Sequence, residues 1–373
     1  MGILDLKYEA FGLDINDLSL KIVKLEKKQG GFVVSSLNEA KIPHGIIEGG
    51  MINDEDALAK IIKYAVATVK GKKLRTKYVV ASLPEEKSFL QVIQMPKMTN
   101  EELKLAVPFE AENYIPLPID GVYLDFQDIS PIKDYFSHLE VLIVAMPKKI
   151  VDSYISCFKK AGIVPIALEV ESEATARALV KKDNKSSLLI LIDFGENNTN
   201  LVVYSGSSIR FTSSIPISSR ILTESIGKTL KINFHEAENL KIKYGLSGLN
   251  SKAGFKEYSF SKKMSAGKIS QIIAPILEDL AKQIKKYLNF YADHSSFEYL
   301  LAGKQDEKIL ICGGGSQLKG LSDFLSERIG IPVEVGDPLI NLLGREKKRF
   351  ADKDIISFTT AIGLELRQTD NNL

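Results

Sequence analysis

The chain has 373 residues, 45% of them hydrophobic and 26% charged, with a net charge of +2. That balance suits two globular domains, or one fold made of two similar halves, and points neither to a nucleic-acid surface nor to an acidic partner. No apolar run approaches the roughly 20 residues that span a bilayer, and the start lacks a secretory signal core. The two cysteines, Cys157 and Cys312, sit among apolar neighbours without a CxxC partner, as buried thiols in a reducing compartment do.

Alternating apolar and polar residues predict strands over 11–15, 20–25 and 32–37, a meander turning at Asn16-Asp17 and Gly30-Gly31. A helix follows over 54–70, capped by Asn53 or Asp54, and 78–83 reads as a buried strand. The block 84–163 carries a strand over 89–95 and a helix over 100–113, capped by Thr99 with Glu102 at the capping-box position. Strands over 122–129 and 139–145 come next, and Pro147 opens a helix ending near Gly162. This order predicts a small α+β insert with one antiparallel sheet. A second half starts with strands over 188–193, 201–204 and 209–213, and continues with helices over 219–230, 234–244 and 266–294. Residues 245–263 read as a loop rich in glycine, serine and lysine. A strand over 308–312, a glycine loop, a helix over 318–329, a strand over 332–335 and a helix over 357–366 close the chain. Charge clusters at Lys27-Lys28 and 346–349 read as solvated surface.

An internal repeat carries the functional reading. Residues 11–23 align without gaps on 190–202, each copy an apolar strand, an aspartate, a short polar turn and a second apolar strand. Small or polar turn residues let backbone N–H groups cradle phosphate oxygens. Asn16, Asp17, Ser19 and Lys21 are the candidates in the first copy, and Gly195, Asn197, Asn198, Thr199 and Asn200 in the second. The strand-end aspartates Asp14 and Asp193 would hold Mg²⁺ through water. Two unrelated hairpins would share these features one at a time; the gapless pair is what argues against coincidence. A third signal lies downstream, where the strand ending at Cys312 enters Gly313-Gly314-Gly315-Ser316 and then a helix with Lys319. Glycines remove side chains where a flat ligand would lie against the backbone, and a helix start adds N–H donors. Glu238 and Lys241, one turn apart, share a helix face, as an ordinary exposed ion pair also would.

These motifs resemble the actin, hexokinase and heat-shock-chaperone ATPase superfamily. The Asp14 turn resembles its phosphate-1 motif, 193–200 its phosphate-2 motif, 313–321 its adenosine motif, and 236–245 its purine- and ribose-packing helix. Residues 169–174 and 359–364 resemble its connecting segments. The insert at 84–163 falls where the FtsA and PilM branches carry a 1C subdomain, and 11–25 and 107–116 resemble PilM. The resemblance implies an α/β, actin-like ATPase fold: two similar ribonuclease-H-like halves around a nucleotide cleft, with a 1C-type insert. Its implied boundaries are 1–83 and the connecting 164–185 for the first half, 84–163 for the insert, 186–335 for the second half with its own insert near 225–300, and 336–373 for the return. ATP and Mg²⁺ are the implied cofactors, with Asn16 in place of the family's turn glycine and Asp17 and Glu196 setting carboxylates beside the expected phosphates.

The implied role is a cytoplasmic adaptor of type IV pilus assembly, recruited to the inner membrane by the N-terminal peptide of a PilN-like protein. Leu103, Val107, Phe109, Tyr114 and Pro116 are the candidate peptide contacts, or else the insert's own core. Residues 340–343, Ile-Asn-Leu-Leu, resemble the core of such a peptide and are candidates to occupy a neighbour's groove, although leucine-rich loops are common. Glu173 is the candidate to orient water for slow ATP hydrolysis. An FtsA-like filament protein and a small-molecule kinase are the alternatives. No catalytic base for a kinase stands out, and the C-terminus lacks the amphipathic helix usual in FtsA. Neither membrane insertion nor nucleic-acid binding is expected, and homo-oligomers are open.

Overall fold

The structure, a computed structural model, describes residues 9–130, 137–181, 188–247, 266–294, 308–343 and 353–369. The charge run at 346–349 and most of the 245–263 loop lie outside these residues. The chain divides into two compact units, one of Met1–Lys185, Tyr204–Thr212 and Asp337–Leu373, the other of Ser186–Val203 and Ser213–Gly336.

The first unit begins with β1 (Ala10–Ile15), β2 (Ser19–Lys28), β3 (Gly31–Lys41) and the short pair β4 (Ile47–Glu48) and β5 (Met51–Ile52). Helix α1 (Glu55–Ala67), β6 (Lys70–Gly71) and β7 (Tyr78–Leu83) follow, and then β8 (Phe89–Pro96), α2 (Asn100–Ala111), β9 (Val122–Asp128) and β10 (His138–Pro147). Helix α3 (Lys148–Ala161), β11 (Val164–Val170) and α4 (Glu171–Leu179) complete the run. The main sheet has the order β11-β7-β1-β2-β3-β6. β1 lies between parallel β7 and antiparallel β2 and is buried along its whole length, so its sequence is an apolar run rather than an alternation.

Helix α1 starts at Asp54, whose carboxylate accepts the Ala57 N–H at 2.9 Å. Helix α3, which the sequence reading grouped with the insert, packs elsewhere. Its Tyr154, Cys157 and Phe158 share one core with Phe11, Leu13 and Ile62, and its Lys160 meets Glu55 of α1 at 2.9 Å. The apolar face of α3 is therefore spent on the main sheet. The insert keeps a three-stranded antiparallel sheet, ordered β8-β10-β9, and α2, which closes over Ile93, Met95, Val141 and Ile143. Thr99 and Glu102 form the capping box that starts α2. Within the same unit Arg210 is buried, its Nη1 2.6 Å from Glu140 Oε2 and its Nε and Nη2 donating to Ser205 O and Ile129 O.

Next come β12 (Leu189–Phe194), β13 (Thr199–Ser205) and β14 (Ser208–Ile215), of which Tyr204–Thr212 belongs to the first unit and the rest to the second, then α5 (Ser219–Leu230), α6 (Phe234–Tyr244) and α7 (Ala266–His294) of the second unit. β15 (Lys308–Cys312), α8 (Leu321–Ile329) and β16 (Val333–Val335) end it. The sheet order is β14-β13-β12-β15-β16, with β12, β15 and β16 parallel. The chain then returns to the first unit with α9 (Thr359–Leu366), which crosses α4 at close range. Gly363 permits that approach, because a side chain there would strike the Ala174 carbonyl. No described helix is long and apolar enough to cross a membrane.

Candidate functional site

In the second unit the repeat and the glycine loop meet. β12 and β15 are parallel neighbours in a register that pairs Asp193 with Cys312, so the acidic turn and the triple glycine leave adjacent strands at one edge. Gly313 has φ +80°, and a Cβ there would fall on Asp193 Oδ1. Gly315 packs against Phe194, whose carbonyl oxygen would lie 2.8 Å from an added Cβ. Both positions therefore need glycine for the fold itself. Gly314 differs: it is exposed, and a Cβ there would meet nothing within 4 Å. Its missing side chain leaves room for a flat group, which is what the sequence reading requires of this loop.

The rest of this site is held by hydrogen bonds. The Gly195 N–H donates to Asn198 O at 3.0 Å and closes the turn, while Gly195 O and Glu196 O accept the Ser219 and Arg220 N–H groups at the start of α5. Those two helix donors are thus spent on protein carbonyls. Thr199 Oγ1 donates to Ile217 O at 2.5 Å. Lys241 is buried; its ammonium donates to Ser219 O and Oγ at 3.0 and 2.7 Å and pairs with Glu238 at 2.8 Å. Burial lowers its pKa against the pull of Glu238. Glu238 also accepts from Thr223 Oγ1 at 2.5 Å. These side chains form a fixed network, joined to the loop's helix where Leu246 N donates to Lys319 O at 2.8 Å and Lys319 Nζ to Lys243 O at 2.7 Å. Ser316 Oγ turns back onto Gly313 O at 2.7 Å. A 3-10 turn over Gly314–Gln317, which includes two of the three glycines, precedes α8, which starts at Leu321 rather than 318 because Gly320 is left-handed at φ +79°.

The matching turn of the first unit departs from the sequence reading. Asn16 is not left-handed: among the described residues the non-glycines at positive φ are Ser207 and Lys231. Instead Asn16 Oδ1 accepts the Leu18 and Ser19 N–H groups at 3.2 and 2.9 Å, a side-chain turn that needs no glycine. The Asp17 carboxylate is engaged by backbone donors. It accepts the Gly49 and Gly50 N–H groups at 2.7 and 3.0 Å, in the turn between β4 and β5, two strands too short to show in the sequence. The charge expected to repel phosphate is thereby held by backbone donors. Asp14 is buried and accepts from Ser82 Oγ at 3.1 Å, and burial raises its pKa although Lys21 opposes the shift. Lys21 Nζ donates to Ser19 Oγ at 3.2 Å.

Glu173 stands in the first turn of α4, 3.9 Å from Arg177, and burial, with Glu169 second, raises its pKa. Arg177 and Arg367 both bind Glu169 at 2.6 Å, leaving Glu173 the more weakly held carboxylate. On the insert, Leu103 and Val107 are buried in the core, because the inner stripe of α2 is what closes its sheet. Phe109, Tyr114 and Pro116 are exposed. Leu105, one helical turn before Phe109, is exposed at 72% and was missed by the sequence reading. Residues 340–343 are engaged within their own unit. Leu342 is buried, Asn341 Nδ2 donates to Arg177 O and Val180 O, and Leu343 N donates to Phe32 O.

Comparison with known proteins agrees with this architecture. A family profile described as type IV pilus assembly protein PilM matches residues 12–369. A solved structure described as a PilM-PilN type IV pilus biogenesis complex superposes with a TM-score of 0.79 at 26% identity, over 98% of this chain and 99% of that one. The cell division protein FtsA of Neisseria meningitidis serogroup B is 23% identical over 97% of this chain and 78% of its own length. MreB5 of Spiroplasma citri, solved with ADP, superposes with a TM-score of 0.53 at 14% identity, over 93% of this chain and 97% of that one, which places the chain in the actin-like ATPase fold.

Proposed function

Because the chain belongs to the type IV pilus assembly protein PilM family, we propose that it is a nucleotide-binding adaptor that docks a PilN-like partner at the inner face of the cytoplasmic membrane. The observation that carries the partner half is the match, over nearly the full length of both chains, to a protein solved as a PilM-PilN complex. The nucleotide half is supported by the open space over Gly314, the network of the buried Lys241 and Glu238 joined to the loop's helix, and an MreB5 neighbour whose solved structure holds ADP.

In this reading the base lies against Gly314, Lys241 and Glu238 address the ribose, and the turn after Asp193 receives phosphate oxygens. Asp193 would hold Mg²⁺ through water, and Asp14 is the corresponding candidate of the first unit. Among the described residues no three acidic, histidine or cysteine side chains gather into a metal cage, so such an ion would draw its remaining ligands from water and phosphate. Bound Mg²⁺ would supply charge neutralisation at the phosphates. Glu173 is retained as the residue to orient water, for at most slow hydrolysis.

The partner's N-terminal peptide is proposed to lie along the insert, with Phe109, Tyr114 and Pro116 as contacts and Leu105 added to them. Apolar anchors exposed on a helix face suit peptide capture. A pull-down with a PilN-like N-terminal peptide tests this reading. Wild-type protein retains the peptide and Leu105→Asp/Phe109→Asp, altered only at exposed positions, loses it. Retention by the variant equal to wild type, or no capture by folded wild-type protein, would sink the assignment.

A further inference from the structure

A second surface of the first unit carries a concentrated positive charge. The segment from β6 into β7 reads Lys70-Gly71-Lys72-Lys73-Leu74-Arg75-Thr76-Lys77, with five basic residues and no acidic one. It is pinned to β3: Lys72 N donates to Ser35 O at 3.0 Å, Ser36 Oγ to Lys72 O at 2.5 Å, and Gly71 passes so close to Ser35 that a side chain there would strike its carbonyl. The basic residues therefore sit on a fixed platform.

Lys72, Lys73 and Arg75 of this segment share the edge of one depression, of about 740 Å³, with Lys27 at the end of β2. All four are exposed. Lys72 meets Glu26, which also holds Lys28, whereas Lys27, Lys73 and Arg75 make no ion pair among the described residues. The interior is not cationic in the same way. Lys24 there is already paired with the buried Glu365 at 3.1 Å, and Glu365 also accepts the Leu25 N–H. An anion inserted into the depression would meet the Glu365 carboxyl, whereas a flat anionic surface resting on the rim meets four exposed cations against two carboxylates, the exposed Glu9 and the Glu26 already paired with Lys28 and Lys72. The depression lies at the Ala10 end of β1, opposite the end that carries Asp14, so a surface seated there leaves the acidic turn uncovered.

We propose that this rim is a docking face for anionic phospholipid headgroups, a direct electrostatic contact with a bilayer that does not depend on the partner peptide. Each lysine or arginine brought to an anionic membrane strengthens binding by a factor of roughly five. Contact of this kind is screened by salt and needs no apolar helix.

The test is vesicle co-sedimentation of the full chain with phosphatidylcholine alone and with about one third phosphatidylglycerol added. Wild-type protein is expected to sediment only with the anionic vesicles, and to be released at about 1 M salt, where the Debye length falls to roughly 3 Å. Lys73→Glu/Arg75→Glu is expected to weaken binding by roughly 25-fold or more. Lys285→Glu/Lys286→Glu, which reverses two exposed cations of α7 and changes the net charge equally, is expected to bind as wild type does. Circular dichroism establishes that each variant is folded, and the milder Lys73→Gln/Arg75→Gln gives an intermediate loss. The proposal is overturned if wild type ignores anionic vesicles, if the two reversals weaken binding equally, or if the rim binds polyglutamate or RNA but not vesicles.

Discussion

Gly313 and Gly314 are neighbours with opposite reasons for being glycine, and replacing each in turn separates folding from ligand binding. Gly313→Ala forces a Cβ onto Asp193 Oδ1 at a backbone φ of +80°. With ψ at 167° this is the extended positive-φ region that is essentially glycine-only and costs about 1–3 kcal/mol by itself, and displacing a packed aspartate brings the total to about 3 kcal/mol or more. Gly314→Val adds a side chain to open space, so its effect on folding stays within about 1 kcal/mol of zero. A valine there fills a layer about as thick as the 3.5–4.0 Å that a stacked ring keeps from the backbone. The ring must move or lose its contact, and a loss of about 1.4 kcal/mol is already tenfold in affinity. Urea unfolding and ATP–Mg²⁺ titration read the two quantities separately. Gly313→Ala is expected to lose stability, and Gly314→Val to keep stability and lose affinity by tenfold or more. If Gly314→Val binds ATP as wild type does, no base lies over the loop. If Gly313→Ala is as stable as wild type, the packing of Asp193 on that glycine is wrong.

Arg210→Met removes the 2.6 Å ion pair of the buried Glu140 and is expected to cost about 3–5 kcal/mol in urea unfolding. Arg210→Met/Glu140→Leu should recover most of that loss; a single variant as stable as wild type would contradict it. Asp17→Ala removes the acceptor of two N–H groups and is expected to cost about 2 kcal/mol while ATP–Mg²⁺ affinity stays within about twofold. Tighter ATP binding by that variant would return Asp17 to the phosphates. Burial raises the Glu365 carboxyl from 4.5 to about 8, despite Lys24 beside it. A carboxyl raised on folding contributes stability that is fully present below about pH 4.5 and lost as pH rises through about 8. Thermal stability should therefore fall over that window, and Glu365→Gln should flatten the fall; identical pH profiles would refute it.

The strands and helices that frame the site were legible because their patterns are long, as in the wholly buried β1 and the capping box of α2. The repeat was legible because each copy ends an apolar strand in an aspartate. What escaped the sequence has local physical causes. β4 and β5 are two residues each, too short for any alternation, so the N–H groups that hold Asp17 were invisible. β11 starts Val164-Pro165 and carries a register shift between Pro165 and Ala167, which hides a strand inside an apparent connector. On α2, the helical period distinguishes one face from another but not inside from outside when both carry apolar residues. Leu103 and Val107 thus stayed open between peptide contact and the insert's own core, where the structure has them buried, and Leu105 was overlooked. The likeness of 340–343 to a partner peptide reflects a need within the same unit, Asn341 satisfying the carbonyls of Arg177 and Val180 at the end of α4.

Calorimetric titration of ATP–Mg²⁺ into wild type, Asp193→Asn and Asp17→Asn tests nucleotide binding most directly. One site should appear in wild type, weakened at least tenfold by the change at position 193 and barely altered by the change at 17. Flat heats in folded wild type, or indistinguishable isotherms for the position 193 variant and wild type, would contradict it.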